Sequence, residues 1–84
     1  MGEVAVVLKV MPEDTETELE GVKENIEDKV DVQDLQEEEV AFGLKALKVS
    51  TIVDDSEGGT DAVENAIAGI EGVRSVEVED LRKL

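Results

Sequence analysis

Arg82 and Lys83 stand side by side, one residue from the last, in a chain whose formal charge is −15. So acidic a protein has no solubility reason to place a basic pair there, which makes the pair a candidate for a partner's anionic or cation-binding site. The plain alternative is a frayed, solvated end, where Lys and Arg are common. Phe42 is the only aromatic side chain and lies between Ala41 and Gly43. Its size makes it core filling by default, yet Gly43 marks a turn, and a large apolar side chain on a turn can anchor a partner's pocket. The run Asp54-Asp55-Ser56-Glu57-Gly58-Gly59-Thr60-Asp61 places a glycine pair before a helix start, as an anion-binding loop would. No lysine follows Gly59 and the carboxylates repel phosphate, so the run reads as a flexible turn and helix cap. It also lacks the alternating acid ligands and terminal glutamate of a calcium loop, leaving weak cation association at most. Glu37-Glu38-Glu39 reads as a solvated acidic stretch, with no proton-shuttling partner or apolar pocket implied beside it.

The residue types that are absent narrow the chemistry further. The chain has no His, Cys, Trp or Tyr, which removes the usual general base, thiolate and imidazole metal ligands, disulfides and most base-stacking platforms. An ordinary hydrolase is not expected on this reading, nor is a cofactor or metal. Residues 11–39 carry 13 acidic and 2 basic side chains, while residues 40–84 carry 9 and 5, so the second half holds the better binding surface. Such acidity disfavours nucleic acid, because every phosphate contact needs a cation. It suits a basic partner or a salty cytoplasm. No segment approaches the roughly twenty apolar residues of a membrane span, and no basic stretch precedes an apolar run at the N-terminus. A soluble, cytoplasmic monomer is expected.

Elements that could position these residues follow from periodicity. Val4, Val6, Leu8 and Val10 alternate with Ala5, Val7 and Lys9, as in a strand covered on one side. Pro12 breaks the pattern, and Thr15 to Glu18 reads as a capping box opening a helix to about Val30. Leu19, Val22, Ile26 and Val30 form its apolar stripe. A short second strand is expected over Val32 to Glu38. A third, central strand is expected over Leu44 to Asp54, with Leu47, Val49, Thr51 and Val53 on one face and Ala46, Lys48, Ser50 and Ile52 on the other. Thr60 is the expected N-cap of a second helix with Val63, Ala66, Ile67 and Ile70 buried, ended by Gly72. Val73 to Glu79 is the last strand, leaving Lys83 on a mobile tip. With 84 residues and no linker, one domain is expected, burying about three-fifths to two-thirds of its unfolded surface. The order βαββαβ gives an α+β, ferredoxin-like sandwich: a four-stranded antiparallel sheet with two helices on one face. That architecture alone decides nothing about function.

Val40-Ala41-Phe42-Gly43-Leu44-Lys45-Ala46-Leu47-Lys48, then Ile52-Val53-Asp54-Asp55, Gly59-Thr60-Asp61 and Asp80-Leu81-Arg82-Lys83-Leu84 resemble, in order and spacing, the archaeal translation elongation factor 1 beta family. The likeness includes Met1-Gly2-Glu3-Val4 and Lys9-Val10-Met11-Pro12 and covers residues 1–84 as a single guanine-nucleotide-exchange domain. It implies a ferredoxin-like exchange factor, not an enzyme, that returns the GTPase elongation factor 1 alpha from its GDP-bound to its GTP-bound form. It implies that Lys83 matches the family's penultimate lysine, which enters the GTPase near its magnesium and phosphate site, with Arg82 and Leu84 beside it. It implies a second contact through Phe42 and Gly43. Two other classes share the fold. A small-ligand regulatory domain would bind a metabolite at a dimer interface, and an RNA-binding sandwich would need aromatic residues on the central strands, where this chain has Ala, Val, Ser and Lys.

Overall fold

The computed structural model describes residues 2–40, 43–54 and 59–84. The chain folds as β1 (Glu3–Pro12), α1 (Leu19–Lys29), β2 (Val32–Glu39), β3 (Lys45–Asp54), α2 (Gly59–Ala68) and β4 (Val73–Lys83). The four strands form one sheet in the order β2-β3-β1-β4, with every neighbouring pair antiparallel. This is the ferredoxin-like α+β arrangement, with β1 and β3 in the centre.

Alternation along β1 puts Val4, Val6, Leu8 and Val10 on one face, and all four are buried. On the neighbouring strand Leu47 and Val49 continue that face, opposite Val10 and Leu8. Val22, Ile26 and Val30 from α1 and Ile67 and Ile70 from α2 and its following turn close the same cluster from the helix side. Fully burying one such side chain contributes about 1.5–3 kcal/mol, so this single layer supplies the main favourable term of folding. Gly72 turns the chain from α2 into β4 with φ +97, and a Cβ there would lie 3.1 Å from Thr17 Cγ2 and 3.2 Å from Val22 Cγ2. Its carbonyl accepts from Glu13 N–H at 2.9 Å, tying this turn to the end of β1.

Both helices and the last strand have boundaries other than those the sequence suggests. The capping box over Thr15 to Glu18 does not form: α1 starts at Leu19, and its N-cap Glu18 makes no side-chain cap bond. The Asp14 carboxylate instead accepts from Glu16 N–H at 2.9 Å and from the Thr17 hydroxyl at 3.2 Å, so a local Asx turn stands where the box would have opened the helix. Helix α2 already includes Gly59, which places Thr60 inside its first turn, and it ends at Ala68, well before Gly72. The last strand does not stop at Glu79. It runs to Lys83, because β1 begins early enough to pair with it: Val4 faces Lys83, and Leu84 N–H donates to the Glu3 carbonyl at 2.9 Å. The terminal basic residues therefore belong to the sheet rather than to a free tip.

A β-bulge lies within β4. Leu8 faces Val78 and Val7 faces Asp80, which leaves Glu79 as the extra residue. Even-numbered Val76 and Val78 share the helix-side face before the bulge, and odd-numbered Leu81 and Lys83 share it afterwards, opposite Val6 and Val4. An unbulged strand would have pointed Asp80 and Arg82 at the apolar face.

Candidate partner-binding site

Strand alternation separates the two terminal cations, and the bulge decides which of them lies on the helix side. Lys83 sits on the helix-side face at the end of the sheet, where it lines an open cleft of about 240 Å³ with Val4, Val53, Leu81 and the first turn of α2, Gly59, Thr60 and Asp61. Arg82, opposite Ala5, lies on the other face. Its Nε is 3.3 Å from Asp80 Oδ2, and both side chains are largely exposed. Leu81, 48% exposed, gives the cleft an apolar wall beside the lysine, and Leu84, 71% exposed, follows at the end of the strand. One ammonium, the partly exposed Leu81 and the first turn of α2 with its Asp61 carboxylate meet at this end of the sheet.

Gly43 occupies the opposite end. Val40 N–H donates to the Leu44 carbonyl at 2.9 Å, closing the β2–β3 connection, and Gly43 adopts φ +78, a conformation that favours glycine. Phe42, the partner anchor expected from sequence, lies outside the described residues, as do Asp55, Ser56, Glu57 and Gly58 of the acidic turn. Lys83 stands level with Val4, whereas Gly43 lies beyond the pairing of Val10 with Leu47. At about 3.3 Å per residue, the two ends of the sheet are roughly 30 Å apart, in a molecule 41 Å long. The structure thus places Lys83 and Leu84 at one end of the sheet, with Arg82 on the opposite face from Lys83, and Gly43 at the far end.

Between those ends runs a charged pin that sequence reading missed. Lys23 on α1 hydrogen-bonds the Glu37 carboxylate on β2, and Lys45 Nζ on β3 approaches the same carboxylate at 3.8 Å. Lys23 also reaches Glu20 at 3.4 Å. The hydrogen bond and charge of Lys23, aided by Lys45, hold the Glu37 carboxyl below the ordinary glutamate range. The same hydrogen bond raises the Lys23 ammonium above the ordinary lysine range. Glu37 is therefore a tie between three elements and not part of a merely solvated stretch. One signal was available: Lys23 flanks the apolar stripe of α1, four residues from Leu19 and three from Ile26. Among the described residues no three acidic side chains converge closely enough to hold a metal ion, and no helix is long and apolar enough to cross a membrane.

Residues 5–84 match the family described as the EF-1 guanine nucleotide exchange domain. The chain is 51% identical to an elongation factor 1-beta of Methanosphaerula palustris over 82 residues, covering 96% of each chain. It is 47% identical to that of Methanosphaera stadtmanae over 87 residues, covering all of this chain and 99% of the relative. Against the elongation factor 1-beta of Halobacterium salinarum the identity is 43% over 88 residues, covering both chains fully.

Proposed function

The chain belongs to the EF-1 guanine nucleotide exchange domain family, and from that membership we propose that it loosens GDP on elongation factor 1 alpha by presenting Lys83 to the partner's magnesium and phosphate site. Its role is nucleotide exchange in translation elongation. The observation that carries the proposal is the placement of Lys83 at the outer end of β4, beside the exposed Leu84. A lysine ammonium is a compact charge with three rotatable donors and no coordination geometry. Brought to the metal position, it satisfies the phosphates less directionally than magnesium does, and the nucleotide is released. No bond is made or broken, so binding one conformational state of the GTPase better than another is sufficient. A preference of about 1.4 kcal/mol changes nucleotide affinity tenfold.

Leu84 follows Lys83 in the same contact, Arg82 stands beside it on the opposite face of the sheet, and Phe42 with Gly43 forms a second contact at the far end. Two contacts one strand length apart fix the orientation of the lysine on its partner. The domain, residues 1–84, acts as a cytoplasmic monomer without nucleic acid or catalytic chemistry of its own. The test is release of labelled GDP from the cognate elongation factor 1 alpha at matched magnesium and saturating factor. Lys83→Ala is expected to lose about tenfold or more of the acceleration with an unchanged melting temperature, since the side chain is exposed. Excess magnesium should oppose the wild type. Phe42→Ala should raise the factor concentration needed without lowering the maximal rate. Full acceleration by Lys83→Ala would sink the proposal.

A further inference from the structure

Sequence alone treats Arg82 and Lys83 as one basic pair, whereas the sheet sends them to opposite faces. Asp80 is the residue between that outcome and the bulge. Its Oδ1 accepts from Leu81 N–H at 3.0 Å, and its Oδ2 lies 3.3 Å from Arg82 Nε. The geometry of the ladder explains why the first contact is available. Leu84 N–H donates to the Glu3 carbonyl, so Glu3 and Leu84 form a hydrogen-bonded pair, as do Ala5 with Arg82 and Val7 with Asp80, and the intervening pairs are of the other kind. At those intervening pairs, Val4 with Lys83 and Val6 with Leu81, the β4 N–H groups point away from β1. β4 is an edge strand, so the Leu81 N–H faces open solvent unless a side chain takes it.

We propose that Asp80 is a positioning residue for Lys83: it clamps the segment after the bulge by holding the outward Leu81 N–H and the Arg82 guanidinium at once, so that Lys83 stays on the helix-side face. Arg82 is then one jaw of the clamp, and its charge is spent on Asp80. The inference rests on the reading that Lys83 acts on the partner. An exposed ion pair with one hydrogen bond changes global stability little. On a strand end, where opening costs almost nothing, the same contribution matters more. A fivefold shift of an end that is open about half the time cuts its ordered fraction about threefold.

Two readouts test the clamp. Val4 and Lys83 face each other at a non-hydrogen-bonded pair, where the α-carbons approach to about 4.5 Å and the α-protons give a strong nuclear Overhauser cross-peak. Asp80→Ala is expected to weaken that cross-peak about threefold and to raise the factor concentration for half-maximal GDP release by a similar factor, leaving the maximal rate and the melting temperature unchanged. Asp80→Asn, which keeps an acceptor for Leu81 N–H, should restore part of both. If Arg82 instead docks directly on an acidic group of the GTPase, Asp80→Ala frees it and the half-maximal concentration falls. That fall, or an unchanged cross-peak, overturns the proposal. Lys83→Ala run alongside separates the two readings: its full activity would refute the role of Lys83, while the cross-peak in Asp80→Ala still decides whether the clamp exists.

Discussion

Thr51 is the buried polar side chain among the described residues of the core, 3% exposed on the helix-side face of β3. Its hydroxyl donates to the Asp31 carbonyl at 2.6 Å, pinning the short connection between α1 and β2 onto the sheet. The pairing of Thr51 with Val32 begins β2 one residue later, so the bond helps set where that edge strand starts. Valine in its place keeps the shape and the strand preference but leaves the carbonyl without its donor. Thr51→Val is expected to cost about 1 kcal/mol, which for a domain of this size lowers the melting temperature by about 4–8 °C. An unchanged melting curve would mean that water replaces the hydroxyl at no cost.

At the scale of elements, β2 is the least apolar strand: only Val32 and Leu35 pack against the core cluster, and the rest of its side chains are exposed. What holds its far half to α1 is electrostatic, through Lys23 and Glu37, with Lys45 adding a link to β3. Because the folded carboxyl is held low, its contribution is full above the unfolded glutamate value and is lost as pH falls through the lower folded value. The Lys23 side runs the other way: its contribution is full below the unfolded lysine value and is lost as pH rises through the raised folded one. Melting curves of wild type and Glu37→Gln, compared across pH, should therefore differ by a constant amount through neutrality and converge at both extremes. A difference that persists in acid would show that Glu37 acts through packing and not through its charge.

Over the whole molecule, 23 acidic side chains share one elongated body of 41 × 20 × 17 Å with 8 basic ones. Self-repulsion of that magnitude opposes the compact state and is screened over about 10 Å at 0.1 M salt and 3 Å at 1 M. Raising sodium chloride from low to near-molar concentration should stabilise the fold by about 1 kcal/mol, again about 4–8 °C. The few ion pairs weaken in the same titration, but they are exposed and contribute little. A melting temperature that stays level or drops with salt would refute the repulsion argument.

Periodicity in the chain sufficed for the element order, the buried faces of β1 and β3 and the apolar stripes of both helices, because each depends on side chains within a few residues of one another. The family likeness was legible too, through the spacing of short segments around Phe42, Gly59 and Lys83. What the sequence left undecided was every feature set by pairing across strands. Alternation through Val76 and Val78 predicts Asp80 and Arg82 on the inner face, and only the bulge opposite Val7 and Leu8 replaces them with Leu81 and Lys83. The early start of β1 is what extends β4 to Lys83 and turns a presumed loose end into a hydrogen-bonded one. Glu37 looked solvated because its partners lie on two other elements, 14 residues before it and 8 after. Register is a property of two strands at once, and a side chain's face changes with each one-residue slip, so local pattern cannot assign it until the partner strand is in place.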